Sequence, residues 1–318
     1  MNEFEIIEHY FKPKLLNNQY IPTLGIGDDA AVITIKEGEE LVVSMDTLVE
    51  GVHFLRDTSP RDIASKSVLV NLSDMAAMGA APRWITLSLT LPENNIDWIK
   101  KFSSQFNNLA AKYSLLLIGG DLTKGPLSIT IQMHGTVPKG RFLCRSGAKP
   151  GDLIYVTGEL GAAAYTLRYF LNPDENLRPT DKEFQRLNQP EPRIKTGLEI
   201  RDIATSCIDI SDGLFADLNH ILRASNVGAE IKLSDIPYSK TLKKIDKGLA
   251  IDLALTGGDD YELCFTVPSH ISQSNLKKMI TTIKVFQIGR INEFSLKLNL
   301  IDDDEKLYKL KSTGYRHF

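Results

Sequence analysis

The sequence predicts an α+β protein of mixed, layered α/β domains, two in number, on three observations. Apolar runs of strand length alternate with segments of helical period, which selects layers of helix on sheet over a β-sandwich. The 318 residues exceed the usual size of a single domain. A stretch rich in Gly, Pro and basic residues, 137–152, breaks the pattern before a new strand begins at LIYVTG.

Taken in order, Phe4, Ile6, Ile7, Tyr10 and Phe11 recur at helical spacing and stop at Pro13. GIGDDAAVI at 25–33 reads as a turn entering a strand, and Leu41 to Met45 as a short strand ending at Asp46. Ser59 followed by Pro60 is an N-cap with Pro at the first helical position, opening a helix that runs to about Gly79 and carries Asp74 one turn after Asn71. A strand over Trp84 to Leu91, a helix from about Asp97 to Tyr113, the apolar run LLLIGG and the strand SITIQMHGTV complete a first domain, 1–140. The second domain, 141–318, is expected to hold helices near 160–171, 193–204 and 213–225, with strands at LIYVTG, CIDI, YELCFTV, KVFQIG and SLKLNLI. The segment LNPDENLRPTDKEFQRLNQPEP reads as a polar surface excursion.

Composition narrows function. Hydrophobic residues make up 42% of the chain and charged residues 24%, the values of an ordinary globular protein. Thirty-seven basic against forty acidic residues leave a net charge of −3, so no overall pull toward nucleic acid or a membrane surface is expected. The N-terminus has no long apolar run, and Cys144, Cys207 and Cys264 are widely spaced without a CxxC pattern. A reduced, cytoplasmic setting is expected.

The chemistry sits in aspartates. No GxxxxGK[ST] phosphate loop is present, and the glycine pairs of GIGDD, IGGD and TGGDD are each followed by Asp. Nine aspartates recur at such positions: Asp28, Asp29, Asp46, Asp74, Asp121, Asp209, Asp212, Asp259 and Asp260. Any one of them alone is more often a turn or capping residue, as Asp212 before the helix at 213–225 illustrates. So many carboxylates placed together raise one another's pKa unless cations are supplied, and Lys and Arg are scarce within the motifs. Oxygen ligands without His or Cys suit magnesium better than zinc. The acids are expected to project from one edge of a sheet, with the helix N-terminus after DISDG and the amides of IGGD donating to phosphate.

The ordered set GIGDDAAV, SMDTLVEGVHF, KSVLVNLSDMAAMGAAP, IGGDLTKGP, RSGAKPGD, DISDGL, TGGDDYELCF and GYRHF resembles the thiamine-monophosphate kinase family. That family belongs with the aminoimidazole ribonucleotide synthetase and selenophosphate synthetase superfamily. The resemblance covers residue 25 to the C-terminus. It implies two domains like the aminoimidazole ribonucleotide synthetase N- and C-terminal domains, pairing as a homodimer through the N-terminal sheets. It implies transfer of a phosphoryl group from ATP to thiamine monophosphate with several magnesium ions and no phosphoenzyme, the last step toward thiamine diphosphate. Carried over by position, magnesium falls to Asp29, Ser44, Met45, Asp46, Asp74, Asp121, Asp209 and Asp212, with Asp46 and Asp121 the catalytic acids acting through the metal. ATP falls to Gly120, Asp121, Arg145 and Ser211, and thiamine phosphate to His53, Asp259 and Tyr315.

Two positions depart from the family pattern. Where Thr often precedes the second-motif aspartate, this chain has Met45, so a metal ligand there is its carbonyl oxygen. Where GGED is common the chain reads GGDD, which retains a carboxylate at Asp259 with a reach shorter by one methylene. A selenophosphate synthetase-like activity is the alternative enzyme, disfavoured because no cysteine precedes Cys144. A non-catalytic magnesium or nucleotide binder is the alternative outside catalysis.

Overall fold

A computed structural model describes residues 1–12, 20–172, 177–294 and 296–310. The chain divides into two compact units, Met1–Met75 with Ala80–Gly140, and Ala76–Gly79 with Arg141–Phe318. Each is a mixed sheet layered with helices, the α+β class expected.

In the first unit, helix α1 (Glu3–Ile6) begins at a reciprocal cap between Asn2 and Glu5 and continues as a π-turn over Ile7–Phe11. Strand β1 (Glu39–Val49), helix α2 (Pro60–Ala77), strand β2 (Ala81–Leu91), helix α3 (Ile96–Lys112), strand β3 (Leu116–Lys124) and strand β4 (Ser128–Pro138) follow. The Asp62 amide donates to Ser59 Oγ at 3.1 Å, the cap expected before Pro60. The four strands lie in the order β1-β4-β2-β3, with β4 antiparallel to both neighbours and β2 parallel to β3. Alternation along each strand sends Leu48, Ile129, Ile131, Met133, Ile85, Leu87 and Leu89 to one face, where all are buried. Helix α2 covers that face, close enough that a Cβ on Gly135 would meet Met75 Sδ at 2.8 Å. The opposite face packs Trp84, Leu116 and Ile118 against Tyr20, Ala31, Ile33 and Ile35. Trp84 Nε1 donates to the Tyr20 carbonyl at 2.8 Å, so the segment bearing GIGDD lies across this second face.

The second unit contains β5 (Leu153–Thr157), α4 (Ala162–Leu171), α5 (Asp181–Asn188), α6 (Ile194–Ile200), β6 (Ser206–Asp209), α7 (Leu214–Ser225), β7 (Gly228–Lys232), α8 (Lys247–Thr256), β8 (Leu263–Val267), α9 (Gln273–Met279), β9 (Val285–Asn292) and β10 (Leu298–Ile301). Its six strands run β10-β7-β9-β5-β8-β6, and only β10 and β7 pair in parallel. Ile154, Val156 and Cys264 pack one face on α7 and α8 through Leu218, Ile221, Ile251 and Leu255. Tyr155, Phe265 and Val267 pack the other on Ile200 and Leu276.

Several expectations are corrected. Strand β1 does not stop at Asp46 but runs on to Val49, because its pairing with β4 continues through Thr47 and Leu48. The 25–33 segment forms isolated bridges, Leu24 with Val32 and Ile26 with Asp28, in place of a strand. LLLIGG does not end a strand before its aspartate, since β3 continues through Asp121 to Lys124. The polar insert is no mere excursion: α5 within it is capped by Thr180 and Glu183 and buries Leu187. Helices α8 and α9 and strand β7 were not anticipated.

Candidate active site

In the first unit, strand alternation puts Ser44 and Asp46 on the face toward α2 and Met45 on the other, 62% exposed. Helix α2 brings Asp74 to the first pair. Ser44 Oγ donates to Asp74 Oδ2, and Asp46 shares a hydrogen bond with Asp74. Burial first, then the charge of Asp74 and that bond, push the Asp46 carboxyl up to about 7. Two carboxylates and a hydroxyl, all oxygen donors, are thus held together. Such a set fits a hard divalent cation that takes one or two carboxylates and completes its shell with water or phosphate. Among the described residues no group of three or more His, Cys, Asp or Glu side chains is arranged to hold a metal by itself.

A second group lies at β3. Asp29, Gly120 and Asp121 line one cavity of about 790 Å³ beside Phe4, Ile7 and Leu87. Gly120 has φ +157°, and a Cβ there would fall 1.9 Å from the Leu87 carbonyl oxygen, so only glycine lets β3 approach β2 at this point. Register separates this group from the first. One row across the sheet reads Asp46, Ile131, Leu87, Gly120, and the next reads Thr47, Thr130, Ser88, Asp121. Adjacent rows face opposite ways, and three strand spacings amount to about 14 Å. Asp46 and Asp121 therefore do not project from one sheet edge; they stand in mid-strand on opposite faces, because GGD lies inside a strand.

His53 sits in the turn after β1. Its Nδ1 accepts the Val49 amide and its own amide donates to the Val49 carbonyl, 3.0 Å each, while Lys66 Nζ donates to its carbonyl at 2.9 Å. Lys66 is buried and was missed in the sequence, where a lysine within an apolar helix gives no sign of its partner.

In the second unit, β6 ends on buried Asp209, and Ile210 to Gly213 turn into α7. This turn is joined to residues 257–262 by backbone hydrogen bonds: Asp259 N–H to Ser211 O at 2.9 Å, Tyr261 N–H to Ile210 O at 2.8 Å, and Ile210 N–H to Glu262 O at 2.8 Å. A Cβ on Gly258 would lie 2.4 Å from Ser211 O, which accounts for the glycine before Asp259. Asp209, Ser211, Asp212 and Asp259 are in this way brought onto adjoining loops. Arg145 is near them: its charge, with those of Arg223 and Asp212, acts on His220 of α7, whose pKa burial and the two arginines lower.

Two amides within DISDG are already engaged. Ser211 and Asp212 N–H both donate to Asp217 Oδ2 at 3.0 Å, and burial, then the charge of Asp212, push the Asp217 carboxyl up to about 7. The sequence signal for Asp217 was an acid in the first turn of the helix following the motif. Asp260, counted among the nine, is instead a buried loop anchor, both of its oxygens accepting the Gly161 amide at 2.9 Å. Tyr315 lies outside the described residues.

Residues 27–137 match the model of the AIR synthase related protein N-terminal domain, and 149–298 that of its C-terminal domain. The chain is 49% identical over 321 residues to the thiamine-monophosphate kinase of Salmonella typhimurium, covering 99% of this chain and 98% of that one. It is 46% identical over 329 residues to that of Buchnera aphidicola subsp. Schizaphis graminum, covering 100% and 99%. The crystal structure of thiamine-monophosphate kinase from Stenotrophomonas maltophilia superposes with a TM-score of 0.82 at 42% identity, covering 90% of this chain and 92% of that one. AaThiL complexed with AMPPCP and TMP superposes with a TM-score of 0.78 at 30% identity, covering 99% and 96%. Matched over nearly its whole length in both sequence and fold, the chain belongs to the thiamine-monophosphate kinase family, its halves being AIR synthase related N- and C-terminal domains.

Proposed function

We propose that this chain is a kinase that transfers the γ-phosphoryl group of ATP to thiamine monophosphate, giving thiamine diphosphate and ADP. The observation that carries the reading is 49% identity with a thiamine-monophosphate kinase over essentially the whole chain, with AaThiL bound to AMPPCP and TMP among its structural relatives. In the reaction, an oxygen of the acceptor phosphate forms a bond to Pγ, and the bond from Pγ to the bridging oxygen of ADP breaks. Both phosphates are ionised near neutral pH, so the charges balance without a proton transfer and no general base is needed. Catalysis is then alignment plus neutralisation of charge.

Ser44, Asp46 and Asp74 are the residues we assign to magnesium in the first unit, with Asp29 and Asp121 at the neighbouring cavity and the Met45 carbonyl as a further oxygen. In the second unit the assignment is to Asp209 and Asp212. Bound there, magnesium would offset the repulsion between the two phosphates and draw the Asp46 carboxyl into its ionised form. The backbone at Gly120 and Asp121, with Ser211 and Arg145, serves ATP. His53, Asp259 and Tyr315 serve the thiamine phosphate, with the His53 ring oriented by its bond to the Val49 amide. Asp217 holds the Ser211–Asp212 turn in shape.

A homodimer is part of this reading. Leu41, Val43 and Met45 form an exposed apolar stripe, 43–62% accessible, on edge strand β1, a surface suited to a second copy of the same sheet. So is a reducing, cytoplasmic setting: the three cysteines are free, and burial pushes the thiols of Cys207 and Cys264 up. No helix among the described residues is long and apolar enough to cross a membrane. The test is chromatography of the products formed from ATP, magnesium and thiamine monophosphate, with free thiamine as control acceptor. Thiamine diphosphate with stoichiometric ADP is expected; phosphorylation of free thiamine alone would overturn the substrate.

A further inference from the structure

The carboxylate assigned to the substrate, Asp259, projects from an unusual piece of backbone. Asp259 (φ +68°) and Tyr261 (φ +49°) are both left-handed without being glycine, and Tyr261 Oη donates to Asp259 Oδ1 at 3.1 Å. Two left-handed residues within three persist only where their surroundings over-determine them. The residues between and after them do so. Asp260 is buried and takes the Gly161 amide on both oxygens. Glu262, 1% exposed, accepts from four side-chain donors: Thr157 Oγ1 at 2.6 Å, Arg193 Nε and Nη2 at 2.6 Å each, and Arg186 Nη1 at 2.7 Å. A Cβ on Gly158 would stand 2.1 Å from Glu262 Oε1, so the chain opposite is also shaped around this carboxylate.

The fourth donor is the informative one. Arg193 already meets Glu262 as a two-pronged pair, which is enough to satisfy a buried carboxylate. Arg186 comes from elsewhere, from α5 of the polar insert, and is itself nearly buried. Helix α5 is fixed in turn by Glu183, which accepts from the Thr241 amide at 2.9 Å and from Thr241 Oγ1 at 2.5 Å, and by buried Leu187. Among the described residues the insert therefore reaches the loop that bears Asp259 through the Arg186 guanidinium, which bonds to Glu262 and whose charge also acts on Asp260.

We propose that Arg186 is a positioning residue for Asp259: by completing the clamp on Glu262 it fixes the left-handed turn that aims the Asp259 carboxylate at the thiamine phosphate. The inference rests on the assignment of Asp259 to that substrate. It gives the insert a part in acceptor binding and none in ATP binding. Arg186 touches no reacting group, so its effect is confined to the acceptor.

The test is steady-state kinetics with each substrate varied on wild type, Arg186→Met, Arg186→Lys, Asp259→Ala and the double variant Arg186→Met with Asp259→Ala, beside a melting curve for each. Arg186→Met is expected to raise KM for thiamine monophosphate about tenfold, with KM for ATP within about twofold. Arg186→Lys is expected to recover most of the loss, and Arg186→Met to add nothing further once Asp259 is Ala. If Asp259→Ala raises KM for thiamine monophosphate while Arg186→Met does not, or if Arg186→Met raises both KM values alike in step with its melting temperature, the positioning role is overturned and the substrate assignment stands. If Asp259→Ala leaves that KM unchanged, the substrate assignment fails and the inference with it.

Discussion

Asp46 and Asp74 share a hydrogen bond between strand β1 and helix α2, and Asp46 titrates near 7 rather than near its ordinary 3.8 as a result of burial and of that neighbour. With its folded value raised, the folded protein holds this proton more tightly than the unfolded chain. The group therefore favours the fold at low pH and costs stability as pH rises from about 4 through about 7. In chelator, the melting temperature should fall across that window, and Asp74→Asn should flatten the fall. Magnesium should raise the wild-type melting temperature at pH 7.5 and raise that of Asp74→Asn by less, the sites assigned to the other aspartates being retained. A chelated pH profile identical in the two proteins would remove the carboxylate pair from the account.

Asp46→Asn and Asp121→Asn should each lower kcat by at least about 100-fold, the scale on which a lost stabiliser of developing charge is felt. Both variants should remain folded, since each replacement keeps the side chain's size. The register adds a distinction: Asp121 lies on the other sheet face, so Asp121→Asn should keep the wild-type chelated pH profile that Asp46→Asn loses. Circular dichroism with a turnover assay checks the first point, and thermal scans in chelator check the second.

These two variants mark what could be read in the sequence. That Ser44, Asp46 and Asp74 belong together was legible only through the family resemblance, which assigns all three to magnesium. That Asp46 and Asp121 would face opposite ways was not. GGD looks like the end of a strand, and only the register of β3 against β2 places Gly120 and Asp121 inside one. The two AIR synthase related halves were legible because their motifs are ordered and distinct. The clamp on Glu262 was not: Arg186, Arg193, Thr157 and Glu262 are separated by up to 105 residues, and an insert rich in Pro and charge resembles a solvated loop until its cap and its buried Leu187 are seen. Asp260 misled for a related reason, because the sequence does not distinguish a carboxylate aimed outward from one turned in toward the Gly161 amide.

The exposed stripe on β1 predicts association. Leu41 and Val43 lie on the face opposite Ser44 and Asp46, so charging them leaves that carboxylate pair intact. The double variant Leu41→Lys with Val43→Lys should sediment as a 35.5 kDa particle where the wild type sediments at twice that mass. A wild-type protein that sediments as a single chain at micromolar concentration would count against the pairing of sheets.

Glu183 predicts the acid limb of stability. Burial alone raises a carboxyl, but here the hydrogen bonds from Thr241 and Thr180 outweigh it and hold the group at about 2 against an ordinary 4.5. With the folded value depressed, the contribution is complete above about pH 4.5 and is lost as pH falls toward about 2. Glu183→Gln removes the charge but can keep an acceptor for Thr241, whereas Glu183→Ala leaves the buried Thr241 amide and hydroxyl without their present partner. The Ala variant should therefore lose about 1–3 kcal/mol at pH 7, and the Gln variant less. Both should show a shallower loss of stability between pH 4.5 and pH 2 than wild type, measured by urea unfolding at each pH. Because α5 is tied to Thr241 by Glu183 and to Glu262 by Arg186, Glu183→Ala should also loosen the clamp and raise KM for thiamine monophosphate more than KM for ATP. An acid limb as steep in both variants as in wild type would show that Glu183 does not carry it.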